Sequence, residues 1–168
     1  QEHVEVNSEN LFDELTSKYL SVIRQFNNID QNKLNQLIKQ IKNTKNIYII
    51  GVHYSSLPAK HLVLGLQDLG INTYFAYDYM QASHLYNTIH EDDLLIYFSI
   101  EGNQNNVSRF FDLTNASKNT YIITLNPKPK LLIENTLILP GYTLSKQSIV
   151  DLQSIVVIFV ELLLNMFH

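Results

Sequence analysis

Between residues 46 and 139, short runs of β-branched and aromatic residues alternate with helical stretches, and this alternation leaves the chain very few folds to choose from. The first run, Asn46-Ile-Tyr-Ile-Ile-Gly51, is apolar at consecutive positions, as a strand buried on both faces must be. Residues 56–69 then have helical character and stop at Gly70, which is placed to be the C′ residue. Further strands are expected at 72–77, 93–99, 120–125 and 136–139. Helices are expected at 79–89, from the polar loop after Glu101 to near Ser117, as a short turn at 128–133, and as a long final helix in the apolar run from Ile149 to Phe167. Ahead of the first strand, Leu11, Phe12, Leu15, Tyr19, Leu20, Val22, Ile23 and Phe26 share a helical spacing. Asp30 is a candidate N-cap for a second helix, with Leu34, Leu37, Ile38 and Ile41 on one face.

Strand following helix in this way calls for a doubly wound parallel sheet, since right-handed crossovers put helices on both of its faces. The expected fold is a three-layer α/β/α sandwich with a five-stranded parallel sheet in the flavodoxin-like order 2-1-3-4-5 and an N-terminal helical arm. Residues 1–45 form the arm and 46–168 the α/β domain. A chain of 168 residues is long enough for one sizeable core. The net charge of -4 argues against a nucleic-acid surface, and the absence of cysteine excludes disulfides, thiolate metal sites and a Cys nucleophile. The run 149–167 carries Asp151, Gln153, Glu161 and Asn165, so it reads as a buried or interface helix and not a membrane span. A soluble, cytoplasmic protein is expected.

In such folds ligands sit at the carboxyl ends of the strands, where the strand order reverses, so the loops after the first and third strands matter most. The first reads Gly51-Val-His-Tyr-Ser-Ser-Leu-Pro58, a glycine and two serines before a helix opening near proline. Unpaired helical N–H groups with serine hydroxyls make an anion site; equally, Ser55 or Ser56 simply caps the helix. The third-strand loop, Ser99-Ile-Glu-Gly-Asn-Gln104, again joins a strand to a helix start but brings a carboxylate. The candidate ligand-binding residues are His53, Ser55, Ser56, Ser99, Glu101, Gly102, Asn103 and Gln104. No dinucleotide fingerprint or P-loop is present.

At these loops the sequence resembles the SIS (sugar isomerase) domain, a five-stranded parallel fold that binds phosphosugars. The family's G-x-G-x-S is matched by Gly51 and Ser55, with His53 in place of the middle glycine, and its S-x-S-G-x-T by Ser99 and Gly102. Ala59, Lys60, Asp78, Asp92, Asp93 and the stretch Ile122–Pro127 extend the likeness over roughly residues 20 to 165. Within the family the chain is most similar to the effector domain of RpiR-type transcriptional regulators, where a helical linker joins the SIS domain to an N-terminal helix-turn-helix. The resemblance implies a phosphosugar effector, DNA contact only through a helix-turn-helix absent from this chain, and self-association as a dimer or tetramer. An apolar final helix, buried on every side by sheet and partner, agrees with that.

Besides His53, the chain departs from the pattern at Ser56, which replaces a common glycine of loop one, and at two positions of the third-strand loop. Glu101 and Gln104 stand where the resemblance calls for phosphate-binding hydroxyls, and Glu101 adds repulsion of roughly a few kcal/mol against a dianion. The pocket then either keeps a phosphosugar through Ser55, Ser56, Ser99 and backbone amides, takes an unphosphorylated or cationic ligand on Glu101, or is vestigial and leaves an oligomerisation scaffold. Isomerases resembling this fold place a Glu and a His late in the chain. Here Gly141–Ser148 offers only Lys146, expected in solvent, and no other histidine pair substitutes. No catalytic residue, metal ligand or cofactor is therefore assigned, and a stand-alone isomerase is the alternative.

Overall fold

A computed structural model describes residues 8–103, 119–130 and 133–167. Two helices, α1 (Ser8–Arg24) and α2 (Gln31–Asn43), are linked by a 3-10 turn at Gln25–Asn28. The expected N-cap is present: Asp30 Oδ1 accepts from the backbone N–H groups of Asn32 and Lys33 at 3.0 and 3.1 Å. The expected apolar face of α2 is buried at Leu34, Leu37, Ile38 and Ile41.

The strands are β1 (Ile47–Gly51), β2 (Thr73–Ala76), β3 (Leu94–Phe98), β4 (Asn119–Thr124) and β5 (Thr136–Ile138). They form one sheet in the order 2-1-3-4-5, every neighbouring pair parallel. The residues of β1 and β3 are buried throughout, as their unbroken apolar runs require, while the edge strand β2 exposes Tyr74. Side chains alternate between two cores. Ile47, Ile49, Leu94, Ile96, Tyr121 and Ile123 face α2, α3 (Ser56–Asp68) and the C-terminal helix. Tyr48, Ile50, Leu95, Tyr97 and Ile122 face α4 (Tyr79–Tyr86) through Ala82 and Leu85. Helix α3 ends in a Schellman arrangement, with Gly70 N–H bonded to Gln67 O and Ile71 N–H to Leu66 O, which places Gly70 at C′ as its position suggests.

The remaining helices depart from expectation. Of the short helical turn expected at 128–133, residues 131 and 132 lie outside the described residues, and 128–130 are not helical: Pro127 and Pro129 bring no N–H donors to this stretch. A helix that the sequence did not announce, α5 (Tyr142–Gln147), stands between β5 and the last helix. The last helix, α6 (Ser154–Asn165), begins five residues later than expected: Ser148 Oγ accepts from Val150 N–H at 3.3 Å, a local turn that competes with helix. Nor is α6 buried on every side within this chain. Ile155, Val156, Phe159, Val160 and Leu163 face the core, but Leu162 is half exposed and Ile149, ahead of the helix, is wholly exposed. The helix expected to end near Ser117 lies outside the described residues. Among the described residues no helix is long and apolar enough to cross a membrane.

Candidate functional site

Loop one follows from a close approach at its first residue. A Cβ on Gly51 would overlap the Ser55 carbonyl oxygen and stand 2.7 Å from Ala59 Cβ, so only glycine lets β1 run this tightly under α3. The chain then makes a 3-10 turn at His53–Ser55, entered through a left-handed His53 at φ 55°. That conformation costs an L-residue roughly 1–2 kcal/mol. It falls at the position where the family resemblance has its second glycine, which gives the likeness a physical basis at that residue.

Neither serine caps α3 with its side chain. Ser55 occupies the N-cap position in helical backbone with no side-chain cap bond, and Ser56 Oγ donates back to the His53 carbonyl at 2.5 Å. The capping reading of loop one is thus not realised. The hydroxyl of Ser56 is committed to the turn, while Ser55 lines a cavity.

Loop three is held by the end of β4. The Ile100 carbonyl accepts from Thr124 Oγ1 at 2.9 Å and from the N–H groups of Leu125 and Asn126 at 3.2 Å. Asn126 Nδ2 donates to the Glu101 carbonyl at 2.8 Å. Gly102 N–H donates to Ser99 Oγ at 3.1 Å, closing the turn. Gly102 has φ 56°, and a Cβ there would stand 2.8 Å from Pro129 Cβ. Thr124 and Asn126 are therefore the supports of the loop, a role their strand-and-turn motif did not reveal.

The two loops meet in a cavity of about 250 Å3 at the carboxyl ends of β1 and β3, where the strand order reverses. His53, Ser55, Ser99 and Glu101 all line it. Ser56, Gly102 and Asn103 do not, and Gln104 lies outside the described residues. Three further polar residues line the same cavity: Tyr79, Tyr97 and Asp151. The two tyrosines come from the first turn of α4 and from β3, and nothing in their local sequence separated them from core aromatics. Asp151 was legible only as a polar interruption of an apolar run. Among the described residues no group of three or more His, Asp or Glu side chains is gathered closely enough to hold a metal ion.

The electrostatics differ from what the sequence suggests. Glu101 does not face the cavity as a bare carboxylate: its Oε1 takes Lys146 Nζ at 2.6 Å and its Oε2 accepts from Tyr142 Oη at 2.8 Å, both from α5. Partial burial pushes the Glu101 carboxyl up, but these two hydrogen bonds and the ammonium charge outweigh it and hold the group below the usual carboxylate range. Lys146 is raised in turn, first by its hydrogen bond to Glu101 and then by Tyr142. Lys146 does lie largely in solvent, as expected, but it is paired, and its ammonium offsets the Glu101 charge and so the repulsion ascribed to that carboxylate. Burial raises the Tyr97 phenol strongly, with Tyr79 adding to it, so Tyr97 keeps its proton at neutral pH.

No protein-family model matches the chain, and no curated protein matches it in sequence. Solved structures match it in fold. The NanR protein of Vibrio vulnificus, solved with ManNAc-6P, superimposes with a TM-score of 0.72 at 18% identity; the match covers 93% of this chain and 61% of that one. The chain thus spans less than two thirds of NanR. The sugar isomerase domain of an RpiR transcription factor from Sphaerobacter thermophilus gives 0.70 at 16%, covering 90% of this chain and 85% of that one. A hypothetical protein from Methanococcus jannaschii, whose structure was read as a 3-hexulose-6-phosphate isomerase, gives 0.70 at 23%, covering 94% and 88%. The fold is that of the sugar isomerase domain, and its bearers include both regulators and isomerases.

Proposed function

We propose that this chain is the effector-binding and self-association domain of an RpiR-type transcriptional regulator, and that its effector is a phosphosugar. DNA would be reached through a helix-turn-helix part lying outside these 168 residues, joined through the arm of residues 1–45, and the protein would work in the cytoplasm. The observation that carries this reading is the meeting of Ser55 and Ser99 in one cavity at the switch point of the sheet. There an uncommitted Ser55 hydroxyl lies beside the start of α3, whose positive end favours an anion. His53, Tyr79 and Tyr97 supply the polar groups that sugar hydroxyls need, and Glu101, neutralised by α5, no longer opposes a phosphate. The half-exposed Leu162 and the bare Ile149 support a homodimer or tetramer formed at the C-terminal helix.

The test is a thermal-shift panel of pentose and hexose phosphates on this chain. One compound at a hundred times its Kd should add about 2.7 kcal/mol, or roughly 5–10 °C for a chain of this size. Ser55→Ala should abolish the shift. No shift from any compound would leave the scaffold reading in its place.

A second reading has one observation in its favour. The cavity adds Asp151 to the expected His53 and Glu101, so a further group able to move a proton lines it. An isomerase would interconvert an aldose and a ketose phosphate and lose turnover in Asp151→Asn. A regulator domain would bind without turnover.

A further inference from the structure

Helix α5 bonds on one side to Glu101, a residue that lines the cavity, and packs on the other against the arm. Tyr142 Oη donates to Glu101 Oε2 at 2.8 Å, and Lys146 seals the same carboxylate from one turn further on, its Nζ also 5.1 Å from the centre of the Tyr142 ring. The residue before Tyr142, Gly141, is left-handed at φ 112°, and a Cβ there would stand 3.1 Å from Val22 Cγ1 in α1. Gly141 is therefore in direct packing contact with the arm. Tyr142 and Leu144 pack against the same core as Tyr19, Ile23 and Phe26 of the arm. A second cavity of about 370 Å3 separates the two elsewhere, walled by Val22, Gln25 and Ile29 on the arm side and by Gly141, Tyr142 and Thr143 on the other. Tyr142 thus lines the cavity beside the arm and holds, through its hydroxyl, the Glu101 that lines the other.

We propose that Tyr142 is a positioning residue through which the Glu101 carboxylate and the N-terminal arm set one another's arrangement. The chain of contacts is continuous: Glu101, the Tyr142 hydroxyl, the backbone of Gly141, and Val22. An occupant of the ligand cavity that draws Glu101 or Lys146 away from this clasp loosens the start of α5. The packing of Gly141 on Val22, where an added methyl would stand only 3.1 Å from Val22 Cγ1, transmits that loosening to α1. Because such coupling is reciprocal, a displaced arm weakens the clasp in the cavity by the same factor. The inference rests on the cavity being the ligand site only for its biological meaning; the coupling itself exists without ligand.

The test needs none. Hydrogen exchange is followed on the whole chain for wild type, Tyr142→Phe, Glu101→Gln and Ser55→Ala. Tyr142→Phe keeps the ring packing and removes only the hydroxyl. Tyr142→Phe, which removes one bond to Glu101, and Glu101→Gln, which weakens two, should each speed exchange of the arm amides around residues 20–29 by roughly three- to ten-fold, the scale of one ordinary, partly solvated hydrogen bond. Ser55→Ala, at a residue that lines the same cavity but takes no part in the Glu101–Tyr142 bond, should leave them unchanged. Exchange faster only at 141–148, or arm amides equally fast in Ser55→Ala, would overturn the coupling. Either result leaves the phosphosugar reading standing, because the thermal-shift panel decides that separately.

Discussion

At the scale of single residues, the site is built from backbone necessity first and side-chain chemistry second. Gly51 and His53 show the difference. Adding a methyl at Gly51 drives it into the Ser55 carbonyl, so Gly51→Ala should cost about 1–3 kcal/mol in urea unfolding and displace loop one. His53 pays for a left-handed turn that glycine would make freely. After allowing for the added flexibility of the unfolded chain, His53→Gly should raise stability by roughly 0.5–1 kcal/mol, and a loss instead would mean the imidazole has a structural partner. Glu101 and Lys146 set a pH window. The carboxyl is depressed by folding, so its contribution is complete above the unfolded carboxylate pKa and disappears as pH falls through the lower folded value. The ammonium is raised, so its contribution is complete below the unfolded lysine pKa and disappears as pH rises through the higher folded value. The stability difference between wild type and Glu101→Gln should therefore be flat across neutral pH and shrink at both ends. A difference that persists in acid would show that the clasp does not depend on charge.

At the scale of elements, what the sequence reveals follows the length of the pattern that encodes it. The buried strands β1, β3 and β4 and the capped helix α2 were legible because each carries an unbroken apolar run or a full helical stripe. Leu37 at the centre of that stripe is wholly buried, and Leu37→Ala should cost about 2–5 kcal/mol. Helix α5 was not legible, since six residues give no periodicity and its left-handed Gly141 reads as a turn. The site inherits that blindness. Ser55 and Ser99 could be placed at strand ends from spacing alone, whereas the partners of Glu101 come from α5, more than forty residues away in sequence. For the same reason the fate of Ser56 was hidden: a hydroxyl folded back onto His53 and one free to bind a ligand look identical in a sequence.

At the scale of the molecule, a parallel sheet with its strand order reversed between β1 and β3 opens a crevice, and the loops decide what enters it. Self-association belongs to this scale too. Light scattering should give at least twice the chain mass of 19.5 kDa, and Leu162→Glu on the bare face of α6 should reduce it to that mass; a wild-type monomer would remove the interface. The central claim is that loops one and three together form a receptor for a sugar phosphate. Its most direct measurement is an NMR titration of the chain with pentose and hexose phosphates, read at the amides of Ser55, Ser99 and Glu101. The expected result is one compound that moves all three in a single saturable process, lost in Ser55→Ala. Shifts that never saturate, or that saturate at residues remote from both loops, would contradict it.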